Sequence, residues 1–265
     1  MITHNKSIAV FDSGLGSLSV IRGIRSQISK ENILYFADKR NFPYGQKSVE
    51  ELEQIMVETI RILSSFSPKI IVVASITPSI QMLSRLKSRS TIPILGVYIP
   101  LQEASRITKK KHIGILGTKS TINSRHLDEL IRLQVPQDIF VSRFDASPII
   151  EIIEKGIFLK NKELTITTIS RTLESMEETS VDVLVLSSTH LSFIKSDLIS
   201  MFPSIRIVDP ILDVVKEIKY YLRTKNILRK TGQGRIRIIV NGDKDEFQTI
   251  IKTMGLPGPV ESFQK

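Results

Sequence analysis

The 265-residue sequence contains no cysteine and no tryptophan. The lack of cysteine excludes disulfides, thiolate metal sites and a cysteine nucleophile. No apolar run approaches the roughly 18 to 20 residues that cross a bilayer, and the opening residues MITHNK lack the apolar stretch of a secretory signal. These absences predict a cytoplasmic protein with no membrane partner.

Acidic residues are the scarcer charged class, with 27 Asp and Glu against 37 Lys and Arg and a formal net charge of +10. Much of the excess lies between Lys216 and Arg237, which holds eight basic residues and one acid, Glu217. A solvated helix and loop explains this segment, and attraction of polyanions is the alternative. No aromatic residue follows Tyr220 and Tyr221 within it, so base stacking is unsupported and we predict weak, non-specific nucleic-acid binding at most.

The rest of the composition, 41% hydrophobic and 24% charged, is that of a globular chain long enough for two domains. Short apolar runs alternate with segments of helical period, and most runs lack polar alternation, which is typical of parallel strands covered on both faces. The class is therefore α/β. The predicted strands are Ser7–Phe11, Ile33–Phe36, Ile70–Ala74, Ile94–Val97, Ile113–Leu116, Val183–Leu186, Ile205–Val208 and Ile236–Val240.

Helix starts carry recognisable signals. Ser48 followed by Glu51 predicts a capping box, while Thr77-Pro78 and Ser147-Pro148 predict hydroxyl caps before a proline at the first helical position. The two halves of the chain also echo each other, since the strands ending near Phe11 and Leu116 lead into similar small-residue loops. We therefore expect two similar α/β units whose strand-end loops converge on one cleft.

Four motifs in order along the chain resemble those of the glutamate racemases, within the aspartate/glutamate racemase superfamily. They are FDSGLGS at 11–17, PYGQKS at 43–48, IGILGTKST at 113–121 and NGD at 241–243. The resemblance covers almost the whole chain. It implies two pseudo-symmetric α/β domains with mainly parallel sheets facing each other across a central cleft, residues 1–97 plus 208–265 forming the first and residues 98–207 the second.

The resemblance also implies a site for a small amino acid or dicarboxylate and no cofactor or metal. The residues that it assigns to substrate binding are Asp12, Ser13, Pro43, Tyr44, Gly45, Thr77, Thr121, Thr189 and His190. Those that it assigns to the catalytic positions are Ser75, Ser188, His190, Asp12 and Glu154, with Glu154 as an auxiliary acid. A homodimer is left open.

The sequence departs from the family pattern at the positions of the catalytic residues. The two catalytic cysteines of the family correspond to Ser75 and Ser188, and the asparagine after the first corresponds to Ile76. Cofactor-independent racemisation needs a base and an acid on opposite faces of Cα. A thiol, with a pKa near ~8.5, supplies a useful thiolate fraction, whereas a serine hydroxyl works only when an adjacent base takes its proton.

Several interpretations follow. The first is a glutamate racemase-like protein, linked by resemblance to D-glutamate supply for peptidoglycan, with lost or strongly altered activity. His190, with Asp12 or Asp38 on the other face, is a candidate replacement proton carrier. The alternative is a non-catalytic small-carboxylate-binding pseudoenzyme with a regulatory role, for which gyrase inhibition by some glutamate racemases is a precedent.

Other enzyme classes have weaker support. Ser188, His190 and Asp209 occur in an order compatible with a hydrolase triad, but no G-x-S-x-G motif accompanies them. The four histidines have no metal-ligand spacing. Gly14-Leu15-Gly16 lacks the third glycine of a dinucleotide fingerprint.

Overall fold

The computed structural model describes residues 3–263, and their contacts divide into two compact units. Unit 1 comprises residues 1–97 and 211–265, and unit 2 comprises residues 98–210. Each unit has a parallel sheet with helices packed against it, so the predicted α/β class is confirmed. Within residues 3–263, no helix combines the length and the apolar character that crossing a bilayer requires.

The strands occur in chain order as follows: β1 Ile8–Asp12, β2 Ile33–Ala37, β3 Ile70–Val73, β4 Ile94–Gly96, β5 His112–Gly117, β6 Phe140–Asp145, β7 Val183–Leu186, β8 Arg206–Val208, β9 Ile236–Val240 and β10 Val260–Ser262. The α-helices are α1 Ser17–Gln27, α2 Val49–Ser65, α3 Ile76–Ser88, α4 Leu101–Ile107, α5 Lys119–Ile122, α6 Arg125–Gln134, α7 Ser147–Glu154, α8 Lys162–Thr172, α9 Lys195–Met201, α10 Pro210–Thr224 and α11 Lys244–Thr253. Short 3₁₀ turns include Tyr44–Gln46 and Thr189–Ile194.

Unit 1 contains a six-stranded sheet in the order β10-β9-β2-β1-β3-β4, with every recorded pairing parallel. One face packs against α2 and α3 through a cluster that includes Phe11, Leu34 and Met56. On the other face, Tyr35 contacts Phe247 of α11. Full burial of such side chains contributes roughly 1.5–3 kcal/mol each, which is why the strands read as continuous apolar runs.

Unit 2 contains a four-stranded parallel sheet in the order β6-β5-β7-β8. Its core joins Leu116, Leu184 and Leu186 of the sheet to Ile149 and Ile153 of α7. Both β6 and β8 are edge strands. The sheet is therefore narrower than that of unit 1 and has a smaller central portion buried on both faces.

Two strands were not predicted from the sequence. The sequence FVSRFD of β6 carries Arg143 and has largely solvent-accessible side chains, so it lacks the apolar run of a central strand. The other, β10, has three residues and pairs only with β9. Both are edge strands whose existence depends on a partner strand more than on their own composition.

The predicted helix starts are partly wrong. Ser48 caps α2 by accepting the Glu51 backbone N–H at 3.1 Å, as predicted. The caps predicted at Thr77 and Ser147 are wrong, because these residues lie inside α3 and α7, and neither Ser75 nor Ala146 at the cap position makes a side-chain cap bond. A proline is tolerated throughout the first turn, whose N–H groups have no intrahelical acceptor, so it marks the turn and not the exact cap.

The helical period of the segment after β8 predicts that Ile211, Leu212, Val215, Ile218 and Leu222 form the apolar face of α10, and the structure corrects one of these residues. Ile211, Val215, Ile218 and Leu222 are buried as predicted. Leu212, predicted with them, is 48% exposed, and Val214 is buried in its place. Lys216 and Arg223 project to solvent.

A buried ion pair between Glu31 and Lys69 joins segments at the amino ends of the unit 1 strands. The two side chains are 1% and 0% exposed. Glu31 Oε1 also accepts the Arg229 backbone N–H at 2.7 Å, and Lys69 Nζ donates to the Ile227 carbonyl at 3.1 Å. Burial lowers the pKa of Lys69, and the Glu31 carboxylate opposes that shift. The pair thereby anchors the connection between α10 and β9.

We expect Lys69→Met to destabilise the protein by about 3–5 kcal/mol, because it leaves the Glu31 charge buried without its cation. The matched control is Lys216→Met, which removes an exposed lysine whose Nζ lies 3.0 Å from Asp213; its expected cost is about 0–1 kcal/mol. Urea unfolding followed by circular dichroism measures both. If both variants lost the same free energy of unfolding, the buried pair would stabilise the protein no more than the exposed pair does.

Candidate functional site

The carboxyl ends of the unit 1 strands bring several predicted site residues to one edge of the sheet. The parallel ladder continues past the strands, since the Asp38 N–H donates to the Asp12 carbonyl at 2.8 Å and the Ala74 N–H donates to the Phe11 carbonyl at 2.9 Å. These bonds join the last two residues of β1 to the first residues after β2 and β3. Asp12, Asp38 and Ser75 therefore lie at the ends of three neighbouring strands.

Asp38 is the centre of a buried polar cluster. Its side chain is inaccessible to solvent, and its carboxylate accepts hydrogen bonds from Tyr44 Oη at 2.7 Å, from Asn41 Nδ2 at 2.8 and 3.0 Å, and from Asn241 Nδ2. Three donors compensate the desolvation of the charge. Asp38 is thus a structural acceptor that fixes the loop carrying Tyr44, and its oxygens are not free to act as the second proton carrier considered above.

Tyr44 is held protonated by its surroundings. Burial raises its pKa well above the usual value of 10, and the charges of Asp38 and Asp12 raise it further. The phenol is therefore protonated at neutral pH and donates its hydrogen bond to Asp38. Asp12, 3% exposed, accepts the Ser13 backbone N–H at 2.7 Å.

The remaining predicted residues of unit 1 lie in the segments that follow β1, β2 and β3. Pro43 follows a cis peptide bond, and Gly45 is the middle residue of the 3₁₀ turn that also holds Tyr44. Ser13 is buried, whereas Thr77, the second residue of α3, is partly exposed.

Ser75 and Ile76 mark the first departure from the family motif. Ser75 has extended backbone angles and is partly exposed, and its carbonyl accepts a hydrogen bond from Ser79 Oγ at 2.6 Å. Among residues 3–263, no side chain hydrogen-bonds to the Ser75 hydroxyl. Ile76 is 4% exposed, so an apolar side chain fills the position where the resemblance expects an amide.

In unit 2, the loops after β5 and β6 are held by hydroxyl groups. Thr118 caps α5 by accepting the Thr121 N–H at 3.1 Å, and its own hydroxyl donates to Thr121 Oγ1 at 2.9 Å. Ser147 Oγ donates to Asp145 at 2.5 Å and accepts the Lys119 N–H at 3.2 Å. These bonds order the segment containing the predicted binding residue Thr121, which is buried.

Two side chains in the segment after β7 and one at the end of α7 are linked in series by hydrogen bonds. Ser188 Oγ lies 3.3 Å from His190 Nδ1, and His190 Nε2 lies 2.8 Å from Glu154 Oε2. A carboxylate only accepts, so in a neutral imidazole the Nε2–H donates to Glu154 and Nδ1 accepts the Ser188 proton. The adjacent Thr189 is buried.

The carboxylate that bonds to His190 is not the one that the order of residues in the sequence suggested. Glu154, at the end of α7, is the carboxylate bonded to His190. Asp209 instead accepts a hydrogen bond from Ser192 Oγ at 2.8 Å, with Lys195 Nζ at 3.7 Å. A triad of Ser188, His190 and Asp209 is therefore wrong in its third member.

Sequence reasoning missed the roles of Asn41 and Asn241 as donors to Asp38. The available signal was positional, since Asp38 and Asn241 directly follow two adjacent strands. Over the described residues, no group of three or more His, Asp or Glu side chains forms a metal-binding cluster.

Comparison with known proteins gives a consistent result. The model of the Asp/Glu/hydantoin racemase family matches residues 8–218. A glutamate racemase of Limosilactobacillus reuteri is 30% identical over 244 residues, covering 91% of this chain and 90% of that protein. Crystal structures of a Bacillus anthracis glutamate racemase isoform and of the Thermus thermophilus glutamate racemase with β-chloro-D-alanine superpose with TM-scores of 0.86 and 0.84, at 27% and 25% identity, each covering 98% of both chains.

We expect Tyr44→Phe to destabilise the protein by roughly 1.5–3 kcal/mol, the range for a hydrogen bond to a charged group. Tyr220→Phe is the matched control, because Tyr220 is 71% exposed and its change should stay within about 0.5 kcal/mol. The midpoint of urea denaturation reports both values. A Tyr44→Phe variant as stable as the control would show that the bond to Asp38 contributes little.

Proposed function

The chain belongs to the glutamate racemases of the Asp/Glu/hydantoin racemase family, and from that premise we propose a glutamate racemase-like protein that binds a small amino acid and has lost or strongly altered racemase activity. The observation that supports the loss is an asymmetry between two serines. Ser188 has a histidine at hydrogen-bond distance, whereas Ser75 has no side chain bonded to its hydroxyl within residues 3–263. The assignment of these serines to the catalytic positions comes from the sequence resemblance.

Inversion at Cα requires proton transfer on two opposite faces, so both positions must function. An alcohol has almost no ionised fraction at neutral pH, and a serine acts as a base only through a neighbour that removes its proton. Within residues 3–263, no side chain is hydrogen-bonded to the Ser75 hydroxyl to take its proton. General acid–base catalysis is most efficient when the catalytic pKa lies near the working pH, a condition that an unassisted hydroxyl does not meet.

His190 does not compensate for both serines. Its Nε2 is engaged by Glu154 and its Nδ1 by Ser188, so both ring nitrogens already have partners. Removing a Cα proton directly would require His190 to give up the Ser188 contact. We propose that this arrangement permits proton transfer on one face at most.

Ile76 supports an altered ligand orientation as well as altered chemistry. It is buried at the first position of α3, beside Ser75. An isoleucine there offers no hydrogen bond to the amino or carboxylate group of a ligand, and an unpaired polar group in a binding site costs about 1–3 kcal/mol.

A free amino acid remains the ligand class that we propose. The Thermus thermophilus glutamate racemase was crystallised with β-chloro-D-alanine, an amino-acid analogue. The buried polar groups at the strand ends of unit 1, including Asp12 and Ser13, suit a zwitterion. Glutamate is the first candidate, and the family links such proteins to D-glutamate supply for peptidoglycan, a role that an inactive member would not fulfil itself.

The basic segment gives little support to a polyanion partner. Arg237 pairs with Glu261 at 2.7 Å, Lys216 Nζ lies 3.0 Å from Asp213, and Arg229 bonds to Asn32 Oδ1 at 2.7 Å. Part of the positive charge of the segment Lys216–Arg237 is thus paired with acidic side chains of unit 1. We propose that any nucleic-acid binding is weak and independent of sequence.

Exchange of the α-proton tests the proposed loss directly. L- and D-glutamate incubated with the protein in deuterated water and followed by NMR should show interconversion far slower than the roughly 1 per second of an ordinary enzyme. The Limosilactobacillus reuteri glutamate racemase provides the positive control. Interconversion at an ordinary enzymatic rate would overturn the proposal and make His190 the first residue to replace.

Restoration of the family residues tests whether the ligand shell has also changed. We expect Ser75→Cys with Ser188→Cys to recover little racemisation, and addition of Ile76→Asn to recover at least about tenfold more, because the substrate must be oriented as well as deprotonated. Thermal melts of all variants exclude unfolding as the cause. Full activity in the double variant would show that Ile76 is compatible with turnover.

A further inference from the structure

Unit 2 contains the components of an activated serine nucleophile. Ser188 Oγ and His190 Nδ1 are 3.3 Å apart, and the opposite ring nitrogen is held by Glu154 at 2.8 Å. A nucleophile within reach of a base that is itself oriented by a third group is the arrangement of nucleophilic catalysis, whatever the fold. We propose that Ser188 is a nucleophile that reacts with small carboxylic esters through His190 and Glu154.

Burial favours this role. The side chains of His190 and Glu154 are 10% and 11% exposed, so water competes weakly for their hydrogen bond. A strong bond to Glu154 fixes the imidazole tautomer with its proton on Nε2, which leaves the Nδ1 lone pair directed to the serine. Ser188 itself is 8% exposed, which limits its reactivity to small reagents. The 3.3 Å separation is within reach of a hydrogen bond, and catalytic hydrogen bonds often shorten when substrate binds.

The chain offers an internal comparison at the opposite end of the same sheet. His112 contacts two serines, Ser180 through Nδ1 at 2.9 Å and Ser142 through Nε2 at 2.8 Å. Both ring nitrogens are thus bound to hydroxyls, and no carboxylate orients the ring. Ser180 is also more exposed than Ser188. Simple accessibility therefore predicts reaction at Ser180, whereas the proposed mechanism predicts reaction at Ser188.

The reaction balances with an ester and water alone. As the Ser188 Oγ–C bond forms, the hydroxyl proton passes to His190 Nδ1. The C–O bond to the leaving alcohol then breaks, and His190 returns the proton to that alcohol. Water repeats the sequence on the acyl-serine, which releases the acid and restores the serine. A fluorophosphonate reacts by the first half only: the Oγ–P bond forms, the P–F bond breaks, and fluoride and the proton leave.

Labelling of the full chain with diisopropyl fluorophosphate, a small phosphorofluoridate that loses fluoride to serine as a fluorophosphonate does, tests the proposal. We expect one adduct per chain, located at Ser188 by peptide mass spectrometry, and hydrolysis of p-nitrophenyl acetate that the labelling abolishes. His190→Ala should slow labelling by at least about 100-fold, the lower range for general-base assistance. Glu154→Gln should also slow it, because an amide can donate to Nε2 and so shift the proton to Nδ1.

The matched control is Ser180→Ala, which should label at the rate of the unaltered protein. No adduct, an adduct at Ser180 or another residue, or an unchanged rate in His190→Ala would each overturn the proposal. Because the adduct is located in the unaltered protein, misfolding of a variant cannot decide the outcome. The result is also independent of the racemase proposal, which is measured by α-proton exchange.

Discussion

Parallel pairing of the strands is the constraint on which the rest of the structure depends. The register of β1 with both β2 and β3 places the last residues of these strands side by side, and backbone bonds from Asp38 and Ala74 extend the ladder one residue further. Side chains that follow the strands must therefore share a small edge of the sheet. Polar groups gather there because this is where the chain leaves the apolar interior.

Polar groups brought together in this way need partners, and the two units satisfy that need differently. In unit 1, the Asp38 carboxylate is fully buried and accepts hydrogen bonds from three side chains. These bonds stabilise the loop that carries Tyr44. In unit 2, the chain from Glu154 through His190 ends on the hydroxyl of Ser188. The Asp38 carboxylate stabilises the conformation of a loop. The Glu154 carboxylate instead orients His190, whose other ring nitrogen contacts the Ser188 hydroxyl.

The parts of the fold that could be predicted from sequence are those whose residues face apolar surroundings on both sides. The central strand β7 reads directly as a run of Val and Leu, and its bounds agree with the structure. The edge strands β6 and β10 carry no such signal. The pairing of His190 with Glu154 joins residues 36 positions apart, so no local spacing reveals it. Sequence order suggested Asp209 because only the folded chain shows which carboxylate the imidazole meets.

The lengths of the edge strands determine how readily another chain can add a strand to either sheet. Three of the four sheet edges in the described chain, β4, β8 and β10, are strands of three residues. Such short edges present few unpaired backbone groups and recruit other chains poorly. The six-residue β6 is the exception, and its Phe140 is 73% exposed. Arg143, which bonds to Asp128 and to the Ile122 carbonyl, puts a charge in the middle of this edge. We therefore expect the charge of Arg143 to oppose the addition of another strand at the one long sheet edge of the described residues.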